Sequence, residues 1–367
     1  MTGPLRYGVI GTGMMGTEHI ANLRHLEGAV VTAVSDPHPD SRAWARLAAA
    51  DDSLPCFEHH DDLLGSGLCD VVVIASPNHT HHRVLLDVLA TDHHVLVEKP
   101  LCTTVAHCAE VVEAADRSAA RAPGRIAWMG LEYRYMPPTA AVLHEVRSGA
   151  VGRVRMVAIR EHRFPFLKKV GDWNRFNRNT GGTLVEKCCH FFDLMNLVVQ
   201  CPPVAVMASG AQDVNHLDER YDGEVPDILD NAYVIVEYEG GVRAMLDLCM
   251  FAEVSKNEQE ISVVGDTGKV EAMVTEGIIR VGRRADGIGS FTERPVVDSS
   301  VRHVGLHHGA SYLEHVALRD AVVHGRPAAV TLRDGMWSVA VGEAAHRSIE
   351  LGRPVRIDEV MVGGEPV

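Results

Sequence analysis

The segment TGGTLVEKCCHFFDLM, residues 180–195, sets a glutamate, a lysine, two cysteines, a histidine and an aspartate in an otherwise apolar run. Metal ligation, thiol chemistry and acid–base chemistry all draw on such residues, and an ordinary buried helix is the fourth reading. On one continuous helix, expected over 183–199, Glu186 and His190 stand at i and i+4 and Asp193 follows three residues later. These three share a face, while Lys187 and Cys188 turn away from it. Neighbouring Cys188 and Cys189 cannot both join His190 in a tetrahedral site without unwinding the helix, and helical geometry excludes a disulfide between them. No metal is expected there, and the thiols read as small packing residues. What remains is a carboxylate one turn before a histidine, a side chain whose pKa suits it to carry protons near neutrality.

The elements that must position this pair begin at the N-terminus. LRYGVI (5–10) is a short apolar run, followed by GTGMMG and by a helical pattern over 14–26. Strand, glycine turn and helix start together read as a dinucleotide-binding turn. Gly11 permits the turn, Gly13 lets the backbone approach a pyrophosphate, and Gly16 allows close packing of helix on strand. The free N–H groups of the helix start, around Met14 and Met15, face the phosphates. AVVTAVSD (29–36) ends in Asp36, 20 residues after Gly16. A carboxylate there accepts hydrogen bonds from ribose hydroxyls and repels a 2′-phosphate, so NAD is expected over NADP.

The alternation continues through strands at 69–76, 94–100 and 125–130 and helices near 81–90 and 104–120. Such a rhythm implies a doubly wound parallel sheet with ligands beyond the carboxyl ends of its strands. Asp36, Ser76, Asn78, Glu98 and Lys99 lie at those ends. The histidine group 79-HTHH-82 lacks an acidic or thiol partner nearby in sequence, so His81 is placed beside the cofactor and not on a metal. After residue 130 the pattern becomes short alternating strands (154–162, 204–211, 231–238, 242–250, 259–264, 269–274) separated by Gly, Asp and Asn turns.

A chain of 367 residues, 46% hydrophobic and 23% charged, has the balance of a globular protein and the length of two domains. A formal charge of -14 argues against a general nucleic-acid or membrane-surface role. The eight cysteines contain no CxxC pair and read as free thiols. With no apolar run long enough to span a bilayer and no leader pattern, a cytoplasmic location is expected.

GTGMMG, Asp36, ASPNHTHH and VLVEKP in that order resemble the N-terminal half of the glucose–fructose oxidoreductase/inositol dehydrogenase/rhizopine-catabolism (Gfo/Idh/MocA) family. The resemblance runs on through GLEYRYMPPTAAVLHEVRSGAVGRVR, the 180–195 segment, DNAYVIVEYEGG, ISVVGDTGKVEA and the stretch HHGASYLEHVALRDAVVHGRPAAVTLRDG. It implies an α/β protein: an NAD(P)-binding Rossmann domain (1–130), then an α/β domain (131–367) with a large, mostly antiparallel open sheet. One face of that sheet, by the same resemblance, meets a partner subunit in a homodimer or homotetramer.

The resemblance also implies a reaction, the NAD-dependent oxidation of a secondary hydroxyl on a cyclitol or sugar. The family's carboxylate–histidine pair and its EKP lysine fall by position on Glu186, His190 and Lys99. Glu186 departs from the usual aspartate by one methylene. In this reading His190 is the general base, Lys99 stabilises the developing alkoxide, and Glu186 orients the imidazole or accepts a substrate hydroxyl. Tyr133, Arg134 and the stretch 172–178 holding Trp173, Asn174 and Arg175 lie where relatives gather substrate contacts. A redox-cycling glycoside-cleaving enzyme and a non-enzymatic NAD(P)-binding regulator are the alternatives.

Overall fold

A computed structural model describes residues 3–361, which group into two compact units. The first comprises residues up to Glu132 together with Lys169–Trp173 and Ser299–Met336; the second holds Tyr133–Lys168, Asn174–Asp298 and the chain from Trp337. A single break near residue 130 does not anticipate the return of 299–336 to the first unit. The helix Ala310–His324 carries that return, and it packs on the helix Met14–Arg24. Among the described residues no helix is long and apolar enough to cross a membrane.

In the first unit β1 (Leu5–Ile10), β2 (Ala29–Ser35), β3 (Cys56–Phe57), β4 (Val71–Ile74), β5 (His94–Glu98) and β6 (Ala127–Gly130) form a parallel sheet in the order β3-β2-β1-β4-β5-β6. All four residues of β4, VVVI, are buried, as a central parallel strand covered on both faces requires. The strand order reverses between β1 and β4, so the loops leaving these two strands border the switch-point crevice where ligands of such sheets lie. The short β3 was not legible in the sequence pattern.

The second unit is built on β7 (Val154–His162), β8 (Pro203–Ala211), β9 (Asn231–Tyr238), β10 (Arg243–Cys249), β11 (Gln259–Gly265), β12 (Gly268–Met273), β13 (Ile278–Arg283), β14 (Thr292–Pro295) and β15 (Val355–Arg356). Their order is β14-β13-β12-β11-β7-β10-β9-β8-β15, antiparallel except where β7 meets β10. Along β9 the residues Ala232, Val234, Val236 and Tyr238 face inward and their neighbours outward. Each fully buried valine or leucine on that inner face is worth roughly 1.5–3 kcal/mol. The helix Cys189–Val199 packs on β7, and the helix Pro137–Arg147 packs on β12. On the outer face, register aligns Met207, Ile235 and Met245 across β8, β9 and β10, all exposed.

The one continuous helix expected over 183–199 is interrupted. Thr183–Glu186 forms one short helix and Cys189–Val199 the next. Between them Cys188 has ψ -8, away from the helical value, and its N–H reaches back to the carbonyl of Thr183 at 3.4 Å, a full residue beyond the helical partner. A uniform helical wheel therefore does not describe this segment.

Candidate active site

At the end of β1 the chain turns through Gly11, whose φ is +85. A Cβ built there would lie 2.5 Å from the backbone N of Ser76, so glycine lets the loops after β1 and β4 touch. A Cβ on Gly16 would stand 2.0 Å from the carbonyl oxygen of Gly11, which accounts for the close packing of helix on turn. Gly13 differs, since a Cβ there would meet nothing within 4 Å. It is the N-cap of Met14–Arg24, and no side chain caps that helix. The first N–H groups are thus left for an anion above open backbone. A pyrophosphate suits this cradle, with Gly13, Met14 and Met15 supplying the donors.

Asp36 is buried, and its carboxylate is aimed by two backbone donors: Thr12 N–H to Oδ2 and His38 N–H to Oδ1, each 2.8 Å. Each oxygen keeps a further lone pair for a ribose hydroxyl. Ser76 shares a 2.7 Å hydroxyl contact with Thr80, and Asn78 is buried in the same loop.

His81 and Glu98 each have partners within the first unit. The His81 ring is fully buried, its nitrogens 2.8 Å from the carbonyl of Pro100 and 2.9 Å from that of Ser76. Burial lowers its pKa against the raising pull of those carbonyls. A neutral imidazole donates from one nitrogen only, so one of the two carbonyls accepts its hydrogen bond while the other lies against the unprotonated nitrogen, and the ring sits between the loops after β4 and β5. Glu98 turns its carboxylate into the unit. Oε1 lies 2.9 Å from His19 Nε2, and Oε2 accepts the Lys99 N–H at 3.1 Å. Burial would raise this carboxyl, but the His19 hydrogen bond and the positive charge around it hold it well below the usual carboxylate range. His19 Nδ1 in turn meets His315 Nε2 at 2.9 Å, and burial holds His315 well below an ordinary histidine. Glu98, His19 and His315 form a buried chain behind the backbone of Lys99. Sequence reasoning missed both histidines. The available signal was His19 on the same helical face as Ile20 and Leu23.

In the second unit Glu186 and His190 are both buried. The His190 imidazole stacks on the Tyr133 ring, centroids 3.9 Å apart and planes inclined by 8°. Lys187 does not turn away from this neighbourhood. Past the break after Glu186 its ammonium donates to the Tyr133 hydroxyl at 2.6 Å and pairs with Glu161 at 2.9 Å. Burial and Arg163 lower the lysine's pKa while Glu161 opposes them. The signal for this pair was present: in Val157, Ile159, Glu161 of β7 a glutamate occupies an inward place.

The short helix bearing Glu186 starts at Gly182, φ +85, where a Cβ would overlap the His346 ring. His346 Nε2 accepts the Leu184 N–H at 3.1 Å, and burial pushes its pKa down to about 4. Cys188 and Cys189 are buried free thiols.

The expected substrate contacts divide. Arg134 is fastened to Asp193 through Nε at 2.7 Å and Nη2 at 2.5 Å. Arg175 is buried with Nε on Glu219 at 2.9 Å, and Asn174 is buried with its amide on the Leu167 carbonyl. These engagements make Arg175 and Asn174 parts of the second unit's interior. Trp173 belongs to the first unit, where its ring lies 6.2 Å from that of His79.

Comparison with known proteins fits this geometry. The family model described as "Oxidoreductase family, NAD-binding Rossmann fold" matches residues 5–122, and "Oxidoreductase family, C-terminal alpha/beta domain" matches 144–357. A myo-inositol 2-dehydrogenase of Thermotoga maritima is 26% identical over 369 residues, covering 97% of this chain and 100% of its own. Inositol 2-dehydrogenase 1 of Saccharopolyspora erythraea is 26% identical, with 96% of each chain covered. Among solved structures, an oxidoreductase domain protein from Kribbella flavida superposes with TM-score 0.84 at 19% identity, covering 97% of this chain and 100% of that one. Levoglucosan dehydrogenase in complex with NADH and levoglucosan gives TM-score 0.83 at 18% identity, covering 96% and 99%. At such identities the structures speak for the fold alone. The two family models, taking in a Rossmann turn and an open-sheet unit in succession, establish that this chain belongs to the Gfo/Idh/MocA oxidoreductases and uses a nicotinamide cofactor.

Proposed function

We propose that the protein is an NAD-dependent dehydrogenase that oxidises a secondary hydroxyl of a cyclitol or sugar. The observation that carries this reading is the end-to-end similarity to inositol 2-dehydrogenases in a chain that keeps Lys99, Glu186 and His190. When bound, the nicotinamide supplies the two-electron acceptor for the carbinol carbon. His190 takes the hydroxyl proton, a task suited to an imidazole near neutrality. The Lys99 ammonium hydrogen-bonds the same oxygen and stabilises its developing negative charge. Glu186, the last residue of the short helix that precedes the His190 helix, orients the imidazole or accepts a neighbouring substrate hydroxyl. Gly13, Met14, Met15 and Asp36 hold the dinucleotide. The placement of Asp36 Oδ1 and Oδ2 supports NAD over NADP, because a 2′-phosphate brought to this carboxylate meets like charge.

The test offers the purified protein NAD with a panel of inositols, aldoses and glycosides while NADH absorbance is followed. Accumulation of NADH with a polyol supports the dehydrogenase. Cleavage of a glycoside without NADH accumulation supports the redox-cycling reading instead, and silence with tight NADH binding supports a regulator. The exposed Met207–Ile235–Met245 row supports self-association through the outer sheet face. Sedimentation should show an Ile235→Lys variant dissociating where the parent protein is oligomeric; a parent that sediments as a monomer rejects this.

A further inference from the structure

Lys187 is a buried cation to which the roles above give no task. Burying an ammonium is costly unless it is paired, and here it stands 2.9 Å from Glu161, a carboxylate that Arg163 also approaches at 3.6 Å, and 2.6 Å from the Tyr133 hydroxyl. A phenylalanine at 133 would fill nearly the same volume without asking for a buried charge. The arrangement therefore does something that packing alone does not require. Its product is a tethered aromatic ring: the hydroxyl is held by Lys187, Lys187 by Glu161, and Phe191 meets the ring edge at 5.9 Å. That ring lies parallel to the His190 imidazole.

Imidazole orientation matters because the χ2 torsion of histidine is broad and sets the ring plane only loosely. A base must present one nitrogen to the reacting hydroxyl within a narrow range of angles, and small misplacements are costly in rate. A flat neighbour held from behind narrows that freedom. We propose that Tyr133, tethered by Lys187 and Glu161, is a positioning residue that sets the plane of the His190 imidazole for proton transfer. The inference rests on the reading of His190 as the base.

The experiment combines a spectroscopic signature with kinetics. Protein labelled with 13C at histidine Cε1 is studied by NMR, and the His190 resonance is identified by its loss in His190→Gln. In the parent protein the stacked ring displaces that resonance through its ring current. Tyr133→Phe should keep the displacement and Tyr133→Leu should abolish it. With NAD and the panel polyol turned over fastest, Tyr133→Leu should lower kcat about 10- to 100-fold with KM held within about twofold. Tyr133→Phe should lose about threefold, and the paired Lys187→Met/Glu161→Gln variant, which removes the ammonium and its carboxylate together and leaves Arg163 without its 3.6 Å partner, should lose about the same because it cuts the same tether. Adding Tyr133→Phe to that pair should then change nothing further.

An unmoved His190 resonance in Tyr133→Leu, or an unchanged kcat in a variant that still binds NADH, overturns the proposal. If Tyr133→Leu does not fold, additive losses in the Phe and paired variants overturn it equally. Failure of every polyol to yield NADH counts against the proposed function, and the resonance still decides the role of Tyr133.

Discussion

Each unit buries a charged side chain next to a residue assigned to the reaction, and the two do it differently. In the first, Glu98 is anchored by His19 from the helix of the glycine turn, with His315 behind it, and it grips the main-chain N–H of Lys99. What is fixed there is a stretch of backbone. In the second, Lys187 is anchored by Glu161 and grips a phenol, whose ring Phe191 meets at the edge, so an aromatic ring is held parallel to the imidazole. The difference matches the chemistry asked of each neighbour. An ammonium is a point charge with three rotatable donors and tolerates a loose approach, whereas an imidazole acts along one lone pair.

The comparison breaks most visibly at the acting groups themselves. His190→Ala and Lys99→Met are each expected to lower kcat by about 10²–10⁴-fold with NADH affinity retained, as judged by cofactor fluorescence. Turnover at the parent rate in both would reject the assignment.

Next in size is the anchor of the first unit. Glu98→Leu leaves His19 and His315 buried without their carboxylate and should cost about 3–5 kcal/mol in urea unfolding. A loss under ~1 kcal/mol would show that the chain is not a tight anchor.

The third effect is a pH dependence of the second unit. His346 has a folded pKa of about 4 against an ordinary 6.5, so the folded form binds fewer protons across that window. Its stabilising contribution is full above pH 6.5 and is lost as pH falls through about 4. The total is roughly 3 kcal/mol. His346→Gln, which can still accept the Leu184 N–H, should flatten this part of the stability–pH curve. An unaltered slope would refute the assignment.

The smallest effect sharpens cofactor choice. Asp36→Ser should weaken NADH binding by roughly 1–1.5 kcal/mol, about tenfold, and narrow the preference over NADPH. Equal affinities for the two cofactors in the parent protein would remove the role given to Asp36.

Legibility followed the kind of partner each residue has. The dinucleotide turn was readable because its requirements are local: Gly11 and Gly16 answer to backbone sterics within one turn, Gly13 leaves the helix start open, and Asp36 lies at a strand end a fixed distance on. Alternating burial made most strands of the second sheet readable from 154 to 274, while β13, β14 and β15 passed unnoticed, β14 because it is exposed throughout and β15 because it spans two residues. His81, Glu98, Asn174 and Arg175 stand out in the sequence as polar residues near strand ends and in a polar stretch, yet their partners come from chain segments that spacing cannot connect.

By itself, then, the sequence determined the family, the order of the two sheets and the residue types that a dehydrogenase needs, since periodicity and short motifs encode local geometry directly. Tertiary structure alone decided that the helix of residues 183–199 breaks after Glu186, that Lys187 serves Tyr133, and that His19 and His315 stand behind Glu98. A buried charge must find its counterpart wherever folding brings one, and that partner can lie hundreds of positions away: 296 residues separate His19 from His315.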